Sequence, residues 1–275
     1  MKILLITDIH IGTSRGSRSH AGMVRQANSQ ALEKLNSLVD TWNEQSYDAA
    51  FQLGDFISEE RDARLSYKND ESFDGFAACM SRLNMKTVHL QGNHDVAAFP
   101  ENRLKYLFLS RGLPVEFRGI AELGGYQFVW LDVECDQNGF GSLSSSTLRW
   151  LEQEVDAKKP TVILSHFPIV TFDMGGSFYF ATAPPDANQY VNGKTISDIL
   201  RTKNVKLAIS AHIHLISVKR QESACFVSLP AFSEHLLESE HPDQNPGTYS
   251  VLELTEQGLC VKSYSGGYCF FNLEI

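Results

Sequence analysis

Five times in this chain a short apolar run breaks off into a polar loop that opens with aspartate, asparagine or histidine. Residues 2–7 lead to Asp8 and His10, 48–53 to Gly54-Asp55, and 88–90 to Gly92-Asn93-His94-Asp95. Residues 161–164 lead to Ser165-His166, and 205–209 to Ser210-Ala211-His212-Ile213-His214. A continuous apolar run of this length suits a strand covered on both faces. Between the first runs the spacing is helical: Val24, Ala27, Ala31, Leu35, Leu38 and Val39 share one side of a helix over 23–43, and a weaker pattern covers 73–83. Strand, helix, strand, helix, strand argues for an α/β layered architecture with parallel pairing. In such sheets the loops at the carboxyl ends of the strands meet in one crevice, so residues far apart in sequence become neighbours.

The second half keeps the habit and then changes. The run 126–131 ends at Asp132, and Ser144 to Ser146 caps a helix carrying Leu148, Trp150, Leu151 and Val155. Beyond His214, the segments 215–218, 225–229, 249–254 and 259–263 are separated by turn residues, as antiparallel strands are. No internal repeat, low-complexity stretch or linker is evident. One domain over residues 1–275 is the simplest organisation.

Composition narrows the function classes. The chain has 43% apolar and 21% charged residues, the balance of a globular protein. Its formal charge of -9 would repel a long polyanion, so no nucleic-acid polymer is expected as partner. The opening MKILLITDIH holds too short an apolar run for a signal sequence or a membrane span. Five cysteines without a CxxC pair indicate neither a disulfide framework nor a thiolate zinc site, and a reducing, cytoplasmic setting fits best.

The candidate chemistry lies in the residues past the strand ends. Asp8, His10, Asp55, Asn93, His94, His166, His212 and His214 are all proton-transfer groups or ligands for a hard or borderline cation. Taken singly, each short motif also reads as turn chemistry; their joint occurrence after successive strands is the signal. Five of the nine histidines fall in these blocks, while His20, His89, His235 and His241 read as structural or surface residues.

The series Asp8-x-His10, Gly54-Asp55, Gly92-Asn93-His94-Asp95, His166 and His212-x-His214 resembles the five-block signature of the calcineurin-like metallophosphoesterases. It departs from the usual pattern at Ala211, where the family generally has glycine. The resemblance implies a two-sheet αββα sandwich and a binuclear site. Asp8, His10 and His214 would hold one metal, Asn93, His166 and His212 the other, and Asp55 would bridge them. One shared carboxylate offsets the repulsion of two dications about 3.5–4 Å apart, and a neutral amide ligand leaves their Lewis acidity intact. Mn, Fe and Zn all suit such ligands. His94 would protonate or position the leaving-group oxygen. Asp95 would either fix the tautomer of His94 or cap the loop. Water activated by the two cations would attack phosphorus in line, with no covalent enzyme intermediate.

The features lean toward the class III cyclic nucleotide phosphodiesterase and glycerophosphodiesterase group: a compact chain, a first block at the extreme N-terminus, GNHD, and the stretch LDVECDQNGFGSLSSSTLRWLEQEV. The expected function is hydrolysis of small phosphodiesters. A phosphomonoesterase, a nucleotide pyrophosphatase of the same fold and a non-catalytic scaffold are the alternatives, and homo-oligomerisation is left open. Two loops should form the rim. Residues 12–22 carry Arg15 and Arg18, which would pair with an anionic group of the substrate or simply be solvated. Residues 171–191 carry Phe172, Phe178, Tyr179, Phe180 and Tyr190, which would stack on a base, close a lid, or pack the loop down.

Overall fold

The computed structural model describes residues 1–12, 28–175, 177, 179–233 and 247–275. Arg15, Arg18, His20, Val24, Ala27, Phe178, His235 and His241 lie outside the described residues. The helices are α1 (Asn28–Glu44), α2 (Tyr67–Met80), α3 (Asn93–Ala98), α4 (Glu101–Ser110), α5 (Ser145–Glu154) and α6 (Gly193–Leu200). The strands are β1 (Lys2–Ile6), β2 (Ala49–Leu53), β3 (Lys86–Leu90), β4 (Gly119–Leu123), β5 (Tyr126–Trp130), β6 (Glu134–Cys135), β7 (Gly141–Ser142), β8 (Thr161–Leu164), β9 (Val205–Ser210), β10 (Ser217–Gln221), β11 (Ala224–Ser228), β12 (Tyr249–Thr255), β13 (Gly258–Ser265) and β14 (Tyr268–Glu274).

Two six-stranded sheets, ordered β14-β13-β12-β1-β2-β3 and β10-β11-β9-β8-β5-β4, form the layers, and β6 pairs with β7 as a separate hairpin. The strands that end in the polar motifs are parallel within their sheets: β1 with β2, β2 with β3, and β8 with β9. The antiparallel C-terminal strands β12 to β14 complete the first sheet, with β12 running against β1. The architecture is the α/β two-sheet sandwich that the sequence resemblance implied.

The alternation of β1 shows why its run is continuously apolar. Ile3 and Leu5 enter the core between the sheets with Phe51, Phe128, Trp130, Val162 and Leu207. Leu4 and Ile6 point the other way, into a core with Leu35, Val39 and Trp42 of α1 and Phe73 and Phe76 of α2. On the far side, Val129 and Ile163 meet Leu151 of α5 and Ile196 and Leu200 of α6. Phe51 and Phe128 stack across the sheets with ring centroids 5.9 Å apart, and truncating either to alanine would cost about 3–5 kcal/mol.

Several elements differ from the sequence reading. The second helix begins at Tyr67 rather than near residue 73, because its first turns bury Asn69 and Ser72 and so conceal the apolar pattern. The strand expected over 215–218 runs instead from Ser217 to Gln221, as an edge strand of largely exposed polar residues. Ala211, which replaces the usual glycine, packs its methyl in the core between the sheets and donates its N–H to His166 O at 2.9 Å.

His89 on β3 is fully inside, between Phe76 and Phe108 at ring-centroid distances of 5.5 and 5.3 Å, and neither ring nitrogen has a hydrogen-bond partner. Burial lowers its pKa from 6.5 to about 3. The unfolded chain therefore binds a proton that the folded chain refuses: stability is intact above pH 6.5 and declines as pH falls toward 3. Replacing His89 by leucine should flatten the acid side of the stability curve, with a gain of about 2 kcal/mol at pH 5 relative to pH 7. Denaturant titrations at the two pH values read this directly, and parallel curves for wild type and His89→Leu would reject it.

Candidate metal centre

The site sits where the carboxyl ends of five parallel strands from both sheets converge. Asp8 and His10 follow β1, Asp55 follows β2, and Asn93 and His94 open α3 just past β3. His166 follows β8, and His212 and His214 follow β9. Backbone pairing persists beyond the strand ends: His10 N–H donates to Asp55 O at 3.0 Å and Ile11 N–H to Phe56 O at 3.0 Å. Seven described non-glycine residues have positive φ, and five of them are Asp8 (52°), His10 (51°), Asp55 (53°), His212 (68°) and His214 (55°). The left-handed conformation costs of order 1–3 kcal/mol each and persists only where the surroundings enforce it. Strain is thus concentrated on the candidate ligands.

Two glycines make the close approach of the loops feasible. Gly54 has φ 96°, and a Cβ there would lie 2.6 Å from His166 Nδ1 and 2.7 Å from Gly92 N. Gly92, at φ -111°, adopts a conformation open to any residue. Its glycine requirement is spatial, since a Cβ would fall 2.1 Å from Asp55 Oδ1. Gly92 thus serves close contact with a candidate ligand.

Two separate groups, Asp8 with His10 and His214, and Asp55 with His166 and His212, each gather their donor atoms within 4.8 Å, and a third, His10 with Asp55 and His94, overlaps both. In the first, His214 Nε2 lies 3.3 Å from Asp8 Oδ1 and 3.1 Å from His10 Nε2. In the second, His166 Nε2 lies 3.4 Å from Asp55 Oδ2 and 3.2 Å from Asn93 Oδ1. Asp55 also reaches His10, with Oδ2 3.7 Å from Nε2, so it stands between the groups. Backbone contacts set the tautomers. His166 Nδ1 donates to Leu53 O at 2.8 Å, which turns the Nε2 lone pair toward Asp55 and Asn93. His212 Nε2 donates to Ala187 O at 2.8 Å, which leaves Nδ1 as its ligand atom.

This donor set fits cations. His166 Nε2 faces two oxygens and the Nε2 atoms of His10 and His214 face each other at 3.1 Å, so electron-pair donors converge where a shared cation, or a proton, satisfies them. The electrostatics agree. Burial lowers His10 and His212 to about 3, keeping both imidazoles neutral and able to ligate. Burial opposes ionisation of Asp8, yet His214 and His166 bring it down to about 2. For Asp55 burial is likewise overcome, chiefly by His166 and His94, and its pKa lies well below the carboxylate range.

His94 and Asp95, adjacent in sequence, go to different places. The His94 ring has Nε2 3.8 Å from Asp55 Oδ2, while Nδ1 meets Glu59 Oε2. Burial works against the imidazolium, but Asp55 and Glu59 raise its pKa to about 9. Asp95 does not touch that ring. Its carboxylate accepts from Asp55 N (2.7 Å), Phe56 N (3.1 Å), Ile57 N (3.3 Å) and Gly92 N (2.9 Å), which is the loop-cap alternative rather than the tautomer-fixing one. Glu59, whose side chain is only 6% exposed, is the carboxylate on His94, and its other oxygen holds Arg61 at 2.6 Å. Neither Glu59 nor Arg61 is among the sequence-predicted site residues; the charged run Glu59-Glu60-Arg61-Asp62, a few residues past Gly54-Asp55, is the signal that points to them.

A cavity of about 400 Å³ opens over the centre, with Phe140, Tyr179 and Phe180 on its walls and Arg61 at its margin. Phe180 packs on His212 and Tyr179 on His214, at 5.0 and 5.5 Å between ring centroids. Phe172 and Tyr190 are buried against the second sheet. The aromatic loop therefore packs down on the candidate ligands while presenting some of its rings to the cavity.

The model of the calcineurin-like phosphoesterase family matches residues 1–215. The chain belongs to that family. This phosphoesterase is 23% identical over 234 residues to a 3',5'-cyclic-nucleotide phosphodiesterase of Nostoc sp. (strain PCC 7120), spanning 84% of this chain and 78% of the relative. Among solved structures it resembles a dimetal phosphatase from Danio rerio, with TM-score 0.72 and 17% identity over 96% of this chain and 95% of that one. It also resembles a purple acid phosphatase from yellow lupin seeds, with TM-score 0.68 and 12% identity over 98% of this chain and 52% of that one. These structural likenesses establish the fold.

If Asp55 belongs to both groups, Asp55→Ala should lower the occupancy of both metals in the phosphoesterase, whereas His214→Ala should lower chiefly one. Gly92→Ala should reduce metal content as well, since its Cβ displaces the Asp55 carboxylate. Elemental analysis of purified variants, expressed with Mn, Fe and Zn available, gives the stoichiometries; full occupancy in Asp55→Ala would refute the bridge.

Proposed function

We propose that this phosphoesterase is a binuclear metal-dependent phosphodiesterase hydrolysing small phosphodiesters, with cyclic nucleotides and glycerophosphodiesters as the leading substrates. The observation that carries the reading is the sharing of Asp55 between two ligand groups with the His94–Glu59 pair beside them. The Nostoc relative supports the choice of diesters. Mn, Fe and Zn all suit these nitrogen and oxygen ligands. When bound, two such cations supply an activated water and neutralise charge on the phosphoryl oxygens.

The chain's own residues do the rest. Asp8, His10 and His214 would hold one cation, Asn93, His166 and His212 the other, and Asp55 both. His94 carries its proton where the departing ester oxygen must receive one, and Glu59 holds the ring through Nδ1 so that Nε2 faces the centre. After attack by water on phosphorus and cleavage of the P–O bond, the alcohol leaves with the His94 proton. Among the described residues no helix is long and apolar enough to cross a membrane, and the five cysteines are free. We read the enzyme as cytoplasmic, acting on a small phosphoester and not on a nucleic-acid polymer.

Hydrolysis of bis(p-nitrophenyl) phosphate by the metal-loaded protein, followed by a panel of cyclic nucleotides, glycerophosphodiesters and monoesters, tests the assignment. Faster turnover of every monoester than of any diester would remove the diester preference. His94→Ala should keep its metals and lose about 10²–10⁴-fold on alkoxide leaving groups while losing far less on p-nitrophenolate, which departs without protonation. Glu59→Gln should show the same leaving-group contrast at about 10–100-fold. Equal losses on both substrates would assign the pair to binding rather than proton donation.

A further inference from the structure

A second, larger hollow adjoins the metal cavity. It measures about 1180 Å³ and shares Arg61, Asn93, Asn138, Gly139 and Phe140 with it, so the two form one continuous depression. One wall is α3, through Val96, Ala97 and Ala98; another is the β6–β7 hairpin; the third is the segment that carries Glu59 and Glu60. The groove starts at Asn93 and Glu59, the chain neighbour and the carboxylate partner of His94. An alcohol at His94 therefore has this groove beside it.

Among the described lining residues the charge of the groove is one-sided. Arg61 is the one Lys or Arg among its described lining residues, and its guanidinium is already paired with Glu59. Glu60 and Asp136 have hydrogen bonds but no salt-bridge partner among the described residues. Glu60 accepts from Asp62 N at 3.2 Å, and Asp136 accepts from Asn138 N at 2.8 Å and Phe140 N at 2.9 Å. Those bonds orient both carboxylates, and no described residue cancels their charge. Gln137, Asn138 and Asn69 add amides, and the alanines of α3 keep the wall low.

We propose that this groove seats the leaving alcohol of the phosphodiester, and that Glu60 and Asp136 are specificity-determining residues that select cationic or neutral alcohols over anionic ones. The inference rests on the phosphodiesterase reading and deepens it. A fixed pair of like charges beside a bound group discriminates by repulsion, without needing a matched contact.

The test is a set of methyl phosphodiesters whose second alcohol is choline, 3,3-dimethylbutanol or isethionate, which are similar in size and differ in charge. Phosphorus NMR identifies the bond broken, because methyl phosphate appears only when the test alcohol departs. The expected kcat/KM is at least about tenfold higher for the choline ester than for the isethionate ester, with the dimethylbutyl ester between them. Glu60→Gln/Asp136→Asn preserves the hydrogen-bond acceptors and removes both charges, and should bring the ratio to within about threefold with little change on bis(p-nitrophenyl) phosphate. A flat series in the wild type, a preference for the anion, or an unchanged ratio in a folded double variant overturns the proposal. The wild-type series alone is decisive if the double variant fails to fold. Absence of any turnover of bis(p-nitrophenyl) phosphate by metal-loaded enzyme would instead overturn the phosphodiesterase reading.

Discussion

The site depends on one buried carboxylate that is not among its candidate ligands. Asp95, on the first turn of α3, gathers the N–H groups of residues 55, 56, 57 and 92, and so ties the loop after β2 to the loop after β3. Within that tie, Asp55 rests on Gly92 so closely that a methyl would not fit, and its Oδ1 accepts from His94 N at 2.9 Å. Asp55 is thereby held from its backbone and its side chain at once, and only Oδ2 is directed to the histidines. Burial and the Asp55 charge push the Asp95 carboxyl well above its usual range, and the backbone donors at Gly92 and Ile57 pull against that shift. Removing those donors' acceptor would free two loops, not one side chain.

Of the five left-handed residues at the centre, Asp55 is held by this network, and the other four are held by buried neighbours. In Asp8-x-His10 and His212-x-His214 the strained residues alternate with Ile9 and Ile213, both fully buried. The apolar residue between each pair pins the loop into a core while its neighbours turn toward the centre. Sequence spacing is thus a consequence of backbone shape: D-x-H and H-x-H place two donors on one side and an anchor on the other. Asp and His tolerate positive φ better than branched residues do, so the residue types that ligate are also types the backbone accepts there.

Much of this was legible because the parallel strands are apolar on both faces. The starts of β8 and β9 and the ends of β1, β2 and β3 lie within a residue of the apolar runs that announced them, and the candidate ligands follow from those ends. What escaped notice lacks such a pattern. Helix α4 buries only Leu104, Leu107 and Phe108, too few to declare a period, and β4 is half-exposed along most of its length. Glu59 reaches His94 from an irregular segment, and no periodicity projects where an irregular backbone points its side chains. Asp95 was visible as a residue but ambiguous in role, since adjacency to His94 in sequence says nothing about adjacency in space. At the start of a helix, consecutive side chains diverge, and here one faces the centre while the other turns back to the loops.

The two sheets meet chemically as well as physically at this end of the sandwich. Asp8 and His10 come from the first sheet and His214 from the second; Asp55 comes from the first, His166 and His212 from the second. Neither sheet alone supplies a full set of donors for either position. Cations that satisfy both groups would therefore cross-link the layers, adding a stabilisation that grows with metal activity and is absent from the unfolded chain. The apolar core between the sheets needs no such help, because Phe51, Phe128 and their neighbours already fix the layers face to face. What the cations would relieve is local: lone pairs aimed at one another, a carboxylate shared by three imidazoles, and loops held in left-handed conformations. The core positions the sheets, the Asp95 network positions the loops, and the remaining electrostatic conflict is concentrated where positive charge resolves it.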